Sequence, residues 1–220
     1  MLEWAAALIK STVRYLAGED WQKLVHKTKP AVVRLGADDF AGKVFTGKVS
    51  KPVYVDKVAL DKVDETLEKY EKEMVKLNHE AAIIVTKEGK VFSVVGEEGS
   101  VYFRNVGEDA LNGATVTHNH PAKLTRYSFS KYDLKEFMDL KLKRLRGIDD
   151  KFVYEVIAND DTNFVKGQVI EYEYGESAYK ELLEKRVRGI ASLDDDEEFH
   201  EINKILAKTY TYKYRRMPRG

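Results

Sequence analysis

Ala81-Ala82-Ile83-Ile84-Val85, Lys87-Glu88-Gly89-Lys90 and Val91-Phe92-Ser93-Val94-Val95 decide the fold class. Two short apolar runs rich in Ile and Val flank a charged turn containing glycine. That pattern predicts two buried strands joined as a hairpin. Upstream the period is different. Val58, Leu60, Val63, Leu67, Tyr70, Met74 and Leu77 recur at steps of mostly three or four, which predicts a long charged helix over residues 57–78. Downstream, residues 101–103 predict a short strand, residues 109–113 a turn, and residues 114–118 the next strand. Helical spacing resumes at residue 131 and runs to about residue 146 through Leu134, Phe137, Met138, Leu142 and Leu145. Residues 152–158 predict another strand, and residues 176–190 and 196–208 two more helices. The order of helix, strands, helix, strand and helices implies an α+β class, an α/β sandwich with a central sheet flanked by helices.

The two ends are less regular. Leu2, Ala5, Ala6, Leu8, Ile9, Val13 and Leu16 predict an amphipathic docking helix that Gly18 can end, and residues 21–26 a short second one. Residues 30–55 read as irregular structure or small strands. The basic tail over residues 213–220 reads as a mobile end. This gives a helical or irregular extension at 1–55, a central domain at 56–160 and a helical extension at 161–220.

Bulk properties narrow the chemistry. Lys+Arg and Asp+Glu both total 37, so the zero formal charge gives no case for nucleic acid or an anionic membrane as partner. The absence of cysteine excludes disulfides, thiolate catalysis and Cys-based zinc sites. Any metal must therefore sit on His, Asp, Glu or backbone oxygen. The N-terminal apolar stretch is interrupted by Glu3, Lys10 and Arg14, a poor signal peptide and too polar to span a bilayer. The expectation is a cytoplasmic protein; a virion-associated or delivered form is the alternative.

The functional reading rests on Thr117-His118-Asn119-His120-Pro121 and Ser130-Lys131-Tyr132-Asp133. On a strand, His118 and His120 share one face and Asn119 points to the other. Two imidazoles so placed can converge on one ion, and Pro121, with no amide hydrogen, ends the strand. Asp133, at the start of the next helix, is the natural third ligand. Two His and one Asp form a set suited to Zn2+, with a fourth position left for water. Such a site needs a carboxylate to move the proton of the water, and Glu80, at the junction of the long helix and the first strand, is the candidate. The plainer reading of Ser130-x-x-Asp133 is a helix capping box. Of the other histidines, His26 and His200 read as surface residues and His79 as an exposed residue or a neighbour of the site. The basic run at residues 141–146 reads as a helix end that complements the helix dipole.

His118-Asn119-His120-Pro121 with Ser130-Lys131-Tyr132-Asp133, preceded by Glu80, resembles the JAMM signature of the MPN/JAB metalloprotease superfamily. The Asn between the histidines is similar to RadC-like proteins and to JAMM-like modules of phage and polymorphic-toxin proteins. The resemblance covers about residues 56–160. It implies a cytidine-deaminase-like MPN/JAB architecture with zinc on His118, His120 and Asp133. It also implies Glu80 as general base and acid, with Ser130 helping to stabilise the oxyanion. The implied reaction is hydrolysis of a peptide or isopeptide bond in a protein or peptide substrate, ubiquitin-like proteins included. Nine residues separate His120 from Ser130, two more than in the common signature. Choosing Ser128 instead would put Lys131 at the ligand position, so Ser130 with a longer loop is preferred. The alternative is a non-catalytic structural or interaction module of the same fold, a phage-particle or toxin-associated component. Self-association through the terminal helices is compatible with either. A metal-dependent nuclease is a third reading, against which the neutral charge argues.

Overall fold

Ala81–Val85 is buried at every position, so this strand (β2) needs cover on both faces and a neighbour on both edges. A computed structural model describes residues 44–45, 48–121, 128–189 and 195–219 and supplies all four. The helices expected at residues 2–16 and 21–26, and residues 122–127 of the loop after the histidines, lie outside the described residues. The other strands are β1 (Val53–Lys57), β3 (Lys90–Val95), β4 (Thr115–Asn119), β5 (Arg144–Ile148), β6 (Phe152–Ile157) and β7 (Lys213–Pro218). They form one seven-stranded sheet in the order β1-β3-β2-β4-β5-β6-β7. Among the described residues, only β4 and β5 pair in parallel; every other neighbouring pair is antiparallel. The protein is therefore an α+β structure with a mixed sheet.

Strand alternation sorts the core into two layers. Ala81, Ile83, Val85, Val91 and Ile148 pack against Leu67, Tyr70 and Met74 of α1 (Val63–Met74). Ala82, Ile84, Val94, Val116, Leu145 and Val156 face the opposite layer. That layer contains α3 (Lys131–Asp139), α4 (Gly167–Glu173), α5 (Tyr179–Val187) and α6 (Asp195–Thr209). A short α2 (Glu108–Leu111) precedes β4. Ile83 and Ile84 are fully buried, each on its own side, and contribute roughly 2–3 kcal/mol apiece through apolar burial. No helix of the described residues is long and apolar enough to cross a membrane.

Several expectations are corrected. The long helix is shorter: a 3-10 turn occupies Leu60–Lys62 and α1 ends at Met74. The strand expected at residues 101–103 is not one, because Phe103–Val106 forms a 3-10 turn. The helix from residue 131 ends at Asp139, and Lys141 adopts a left-handed φ of 49° that turns the chain back. Glycine or Asn is the usual signal for such a stop, so a Lys there conceals it. Residues 144–148 are then a strand rather than a basic helix end; Leu142 and Leu145, three apart, imitate a helical stripe. The basic tail is also ordered. Its residues form β7 on the sheet edge, where Arg215 reaches Glu155, and Arg216 pairs with Glu197 at 2.8 Å and lies over the Phe152 ring. Residues 161–220 thus provide a strand of the same sheet as well as helices.

Arg146 explains why a basic residue sits inside β5. Its guanidinium binds both Glu71 oxygens of α1 at 2.8 Å and Glu155 of β6 at 2.5 Å, and all three residues are buried. Glu71 also accepts from Thr117 of β4 at 2.8 Å. Removing one partner of such a buried cluster leaves charges without compensation. Arg146→Met is expected to lower unfolding free energy by about 3–5 kcal/mol in urea titrations. Replacing Arg146, Glu71 and Glu155 together by apolar residues of similar volume should cost less than that single change.

Candidate metal centre

The site forms where two strands part. β4 pairs with β2 as far as Ala82↔His118 and no further. On its other edge β4 stays with β5, through Asn119↔Ile148 and then His120 N–H donating to the Ile148 carbonyl at 2.7 Å. The gap that opens lies beside His118 and His120. Both histidines point to the α3 side of the sheet, the face shared by Val116 and Ala82, and both are buried. By strand alternation Glu80, two residues before Ala82, belongs to that face as well.

Helix α3 brings the third group. Ser130 caps it: the Ser130 N–H and hydroxyl both donate to Asp133 Oδ2 at 2.7 Å, and Asp133 N–H donates back to Ser130 Oγ at 3.3 Å. The capping-box and ligand readings are compatible, because the two carboxylate oxygens divide the work. Oδ2 is held by the cap, while Oδ1 lies 3.2 Å from His118 Nε2. His118 Nε2 and His120 Nε2 are 2.8 Å apart. One donor atom from each of His118, His120 and Asp133 can be chosen so that all three lie within 4.8 Å of one another. Neighbouring ligands of a tetrahedral zinc stand about 3.3 Å apart for bonds of roughly 2.0–2.1 Å, so small side-chain adjustments fit the set to a metal. Two buried imidazole nitrogens facing each other are also costly for a metal-free protein, since only one can donate to the other.

Electrostatics bind these groups to Glu80. Burial pushes the Glu80 carboxyl up to about 7; nearby His118 opposes the shift, Asp133 reinforces it, and a hydrogen bond from the Val101 backbone opposes it. Burial also works against ionisation of Asp133, but His118, His120 and the Ser130 hydroxyl outweigh it and hold that carboxyl well below the usual range. Burial lowers the pKa of His118, yet Asp133 and Glu80 raise it above its ordinary value overall. In the metal-free protein a carboxyl near neutrality beside a potential metal set is compatible with general acid–base chemistry.

The surroundings explain the local precision. Gly147 stands opposite His118 across β4 and β5. A Cβ there would come within 3.0 Å of the Phe129 ring and 3.1 Å of the His120 ring. Phe129 lies against both histidines, with ring centroids 6.1 and 6.4 Å away, and Tyr154 stacks on His120 at 6.4 Å. The residues leading into Ser130 are held by the C-terminal elements. Tyr174 Oη and Asn203 Nδ2 both donate to the Phe129 carbonyl at 2.9 Å, and Ser128 Oγ shares a hydrogen bond with Tyr214 Oη at 2.7 Å. Ser128 is thus used in this clamp while Ser130 caps α3. His200, expected as a solvated residue, is a part-buried member of the clamp, 2.7 Å from Tyr214 Oη through Nδ1.

All five expected site residues therefore lie around one point: His118, His120 and Asp133 in contact, Ser130 on Asp133, and Glu80 within their electrostatic reach. Sequence reasoning gave no role to Asn119, Gly147 or Tyr154. A glycine in a strand was the one visible signal among them, since it marks a close approach of other groups. No protein-family model, curated protein or solved structure matches the chain.

Two outcomes follow. In the metal-free protein, Glu80 stays protonated in the folded state between about pH 4.5 and 7, where the unfolded chain has released that proton. Stability is therefore lost as pH rises through this window. Metal-free Glu80→Gln should be more stable than wild type near pH 8, by on the order of 2–3 kcal/mol, and lose the advantage near pH 4, as read by urea unfolding. Gly147→Val should displace His120 and weaken zinc binding by about tenfold or more in a competition titration with a chelating dye.

Proposed function

We propose that the protein is a zinc-dependent hydrolase of the JAMM type that cleaves a peptide or isopeptide bond. The observation that carries this reading is the convergence of His118, His120 and Asp133 with buried Glu80 beside them, its carboxyl raised to about 7. The ligand set suits zinc by type and number: two imidazoles and one carboxylate, with a fourth position left for water. His118, His120 and Asp133 would hold the ion, which when bound would supply Lewis-acid activation of water near neutral pH. Glu80 would take a proton from water at its carboxylate and pass it to the leaving nitrogen. Asp133 and the two histidines fix the site of attack. Ser130 orients Asp133 through Oδ2, and its hydroxyl must turn from that bond to serve an oxyanion.

The succession of α1, the β2–β3 hairpin, the His-bearing β4 and the Ser130-capped α3 supports a cytidine-deaminase-like MPN/JAB architecture. Under this reading the substrate is a protein or peptide, ubiquitin-like conjugates included.

Elemental analysis of protein purified without chelators should find about one zinc per chain, falling to background in His118→Ala/His120→Ala. Glu80→Gln should keep the metal and lower hydrolysis by at least about a hundredfold, measured on a fluorescence-quenched peptide library and on isopeptide-linked ubiquitin dimers. A metal-free preparation, or full activity in Glu80→Gln, would contradict the proposal. An intact zinc site with no cleavage of any substrate would favour the non-catalytic module.

A further inference from the structure

Asn119 is the residue between the two histidines, and its side chain lies on the opposite face of β4. It is fully buried, and both ends of its amide are used. Oδ1 accepts from the Ala81 N–H at 2.7 Å, and Nδ2 donates to the His79 carbonyl at 2.9 Å. The partners fix the orientation of the amide, because one is a donor and the other an acceptor. Those two backbone groups are the ones that β4 would have bonded had the β2–β4 ladder continued beyond Ala82↔His118. The side chain of Asn119 therefore stands in for the missing strand backbone.

The residue enclosed by the two bonds is Glu80. Its own backbone is held from the other side: Glu80 N–H donates to the Glu97 carbonyl at 2.9 Å, and Gly96 N–H donates to the Glu80 carbonyl at 2.7 Å. A Cβ at residue 96 would lie 2.8 Å from that carbonyl, so Gly96 permits the approach. From the His79 carbonyl to the Ala81 amide, every backbone group is paired. Without Asn119, the inner side of this segment would have a buried Ala81 N–H and a part-buried His79 carbonyl with no partner and no ladder to fix them.

We infer that Asn119 is a positioning residue: its amide bridges the gap between the parted strands and locks the Glu80 backbone, so that the carboxyl faces the His118–His120–Asp133 set. This rests on the hydrolase reading above and assigns a specific task to the middle residue of the motif. The task requires Asn, because one planar amide both accepts and donates at the needed reach. Asp lacks the donor when ionised, and Ser is shorter.

The test uses the full chain loaded with zinc, as wild type, Asn119→Ala, Asn119→Asp, Glu80→Gln and the double variant Glu80→Gln/Asn119→Ala. Asn119→Ala should bind zinc within about threefold of wild type, since all ligands remain. Its Ala81 amide should exchange with deuterium at least about tenfold faster, and the Glu80 carboxyl carbon should shift in the NMR spectrum. On the quenched peptide library kcat should fall about a hundredfold with KM little changed, as expected for misplacement of a catalytic group. The double variant should be no slower than Glu80→Gln alone, because Asn119 acts through Glu80. Asn119→Asp, which keeps the acceptor, should lie between wild type and Asn119→Ala, and it serves as the readout if the alanine variant does not fold. Zinc affinity that falls in step with activity, an unchanged Ala81 exchange rate, or an additive double variant would overturn the assignment. If zinc-loaded wild type cleaves no probe, the hydrolase reading fails; the exchange rate and the Glu80 resonance still decide whether Asn119 holds Glu80.

Discussion

The departure of β4 from β2 after Ala82↔His118, while β4 keeps its bonds to β5, is the constraint on which the site depends. A fully paired strand would leave no opening beside the histidines. A strand freed on both edges would not hold two imidazoles in register. One retained edge supports the histidines in register, and the released edge leaves Glu80 off the β2–β4 ladder. Pro121 favours the opening because it cannot donate to a continuing ladder. Gly147, on the retained edge, leaves the volume that the His120 and Phe129 rings occupy.

The two faces of β4 serve different ends. On the α1 side, Thr117 is bonded to Glu71, which is bonded to Arg146, and Arg146 to Glu155. With Arg144 and Arg215 also on Glu155, the two carboxylates are matched by guanidinium groups, and the cluster ties three strands and a helix into one unit. On the α3 side, His118, His120, Asp133 and Glu80 are brought together in buried surroundings without full compensation, and Glu80 is left with a carboxyl near neutrality. A group of this kind opposes folding at neutral pH unless something else occupies the site. The balanced cluster behind the strand allows the unbalanced one in front to persist.

The residues beyond 160 have a part in this. Tyr174, Asn203 and Tyr214 come from the C-terminal elements, and all three reach Ser128 or the Phe129 carbonyl. They deliver the chain to Ser130 in the position where it caps α3. The longer interval between His120 and Ser130 therefore does not prevent Asp133 from meeting the histidines, because the end of that interval is anchored by other elements.

The sequence alone specifies the local elements whose period is strong: β2, β3, β4, β6, and the middle of α1. It also determined which residues could bind a metal, because two His two apart on a strand, followed by a capped Asp, suit little other chemistry. It concealed β5 and β7, since Arg144, Arg146, Arg215 and Arg216 read as solvated charge until the acidic partners on other elements are in place. Those partners, Asp64, Glu71, Glu155 and Glu197, are remote in sequence for most of these arginines. The fold, not the sequence, sets Glu80 and the histidines on one face and requires Gly147 to be small. It alone decided that Asn119 bonds the backbone on either side of Glu80. Each of these depends on strand register and on contacts between distant segments, which no local period encodes.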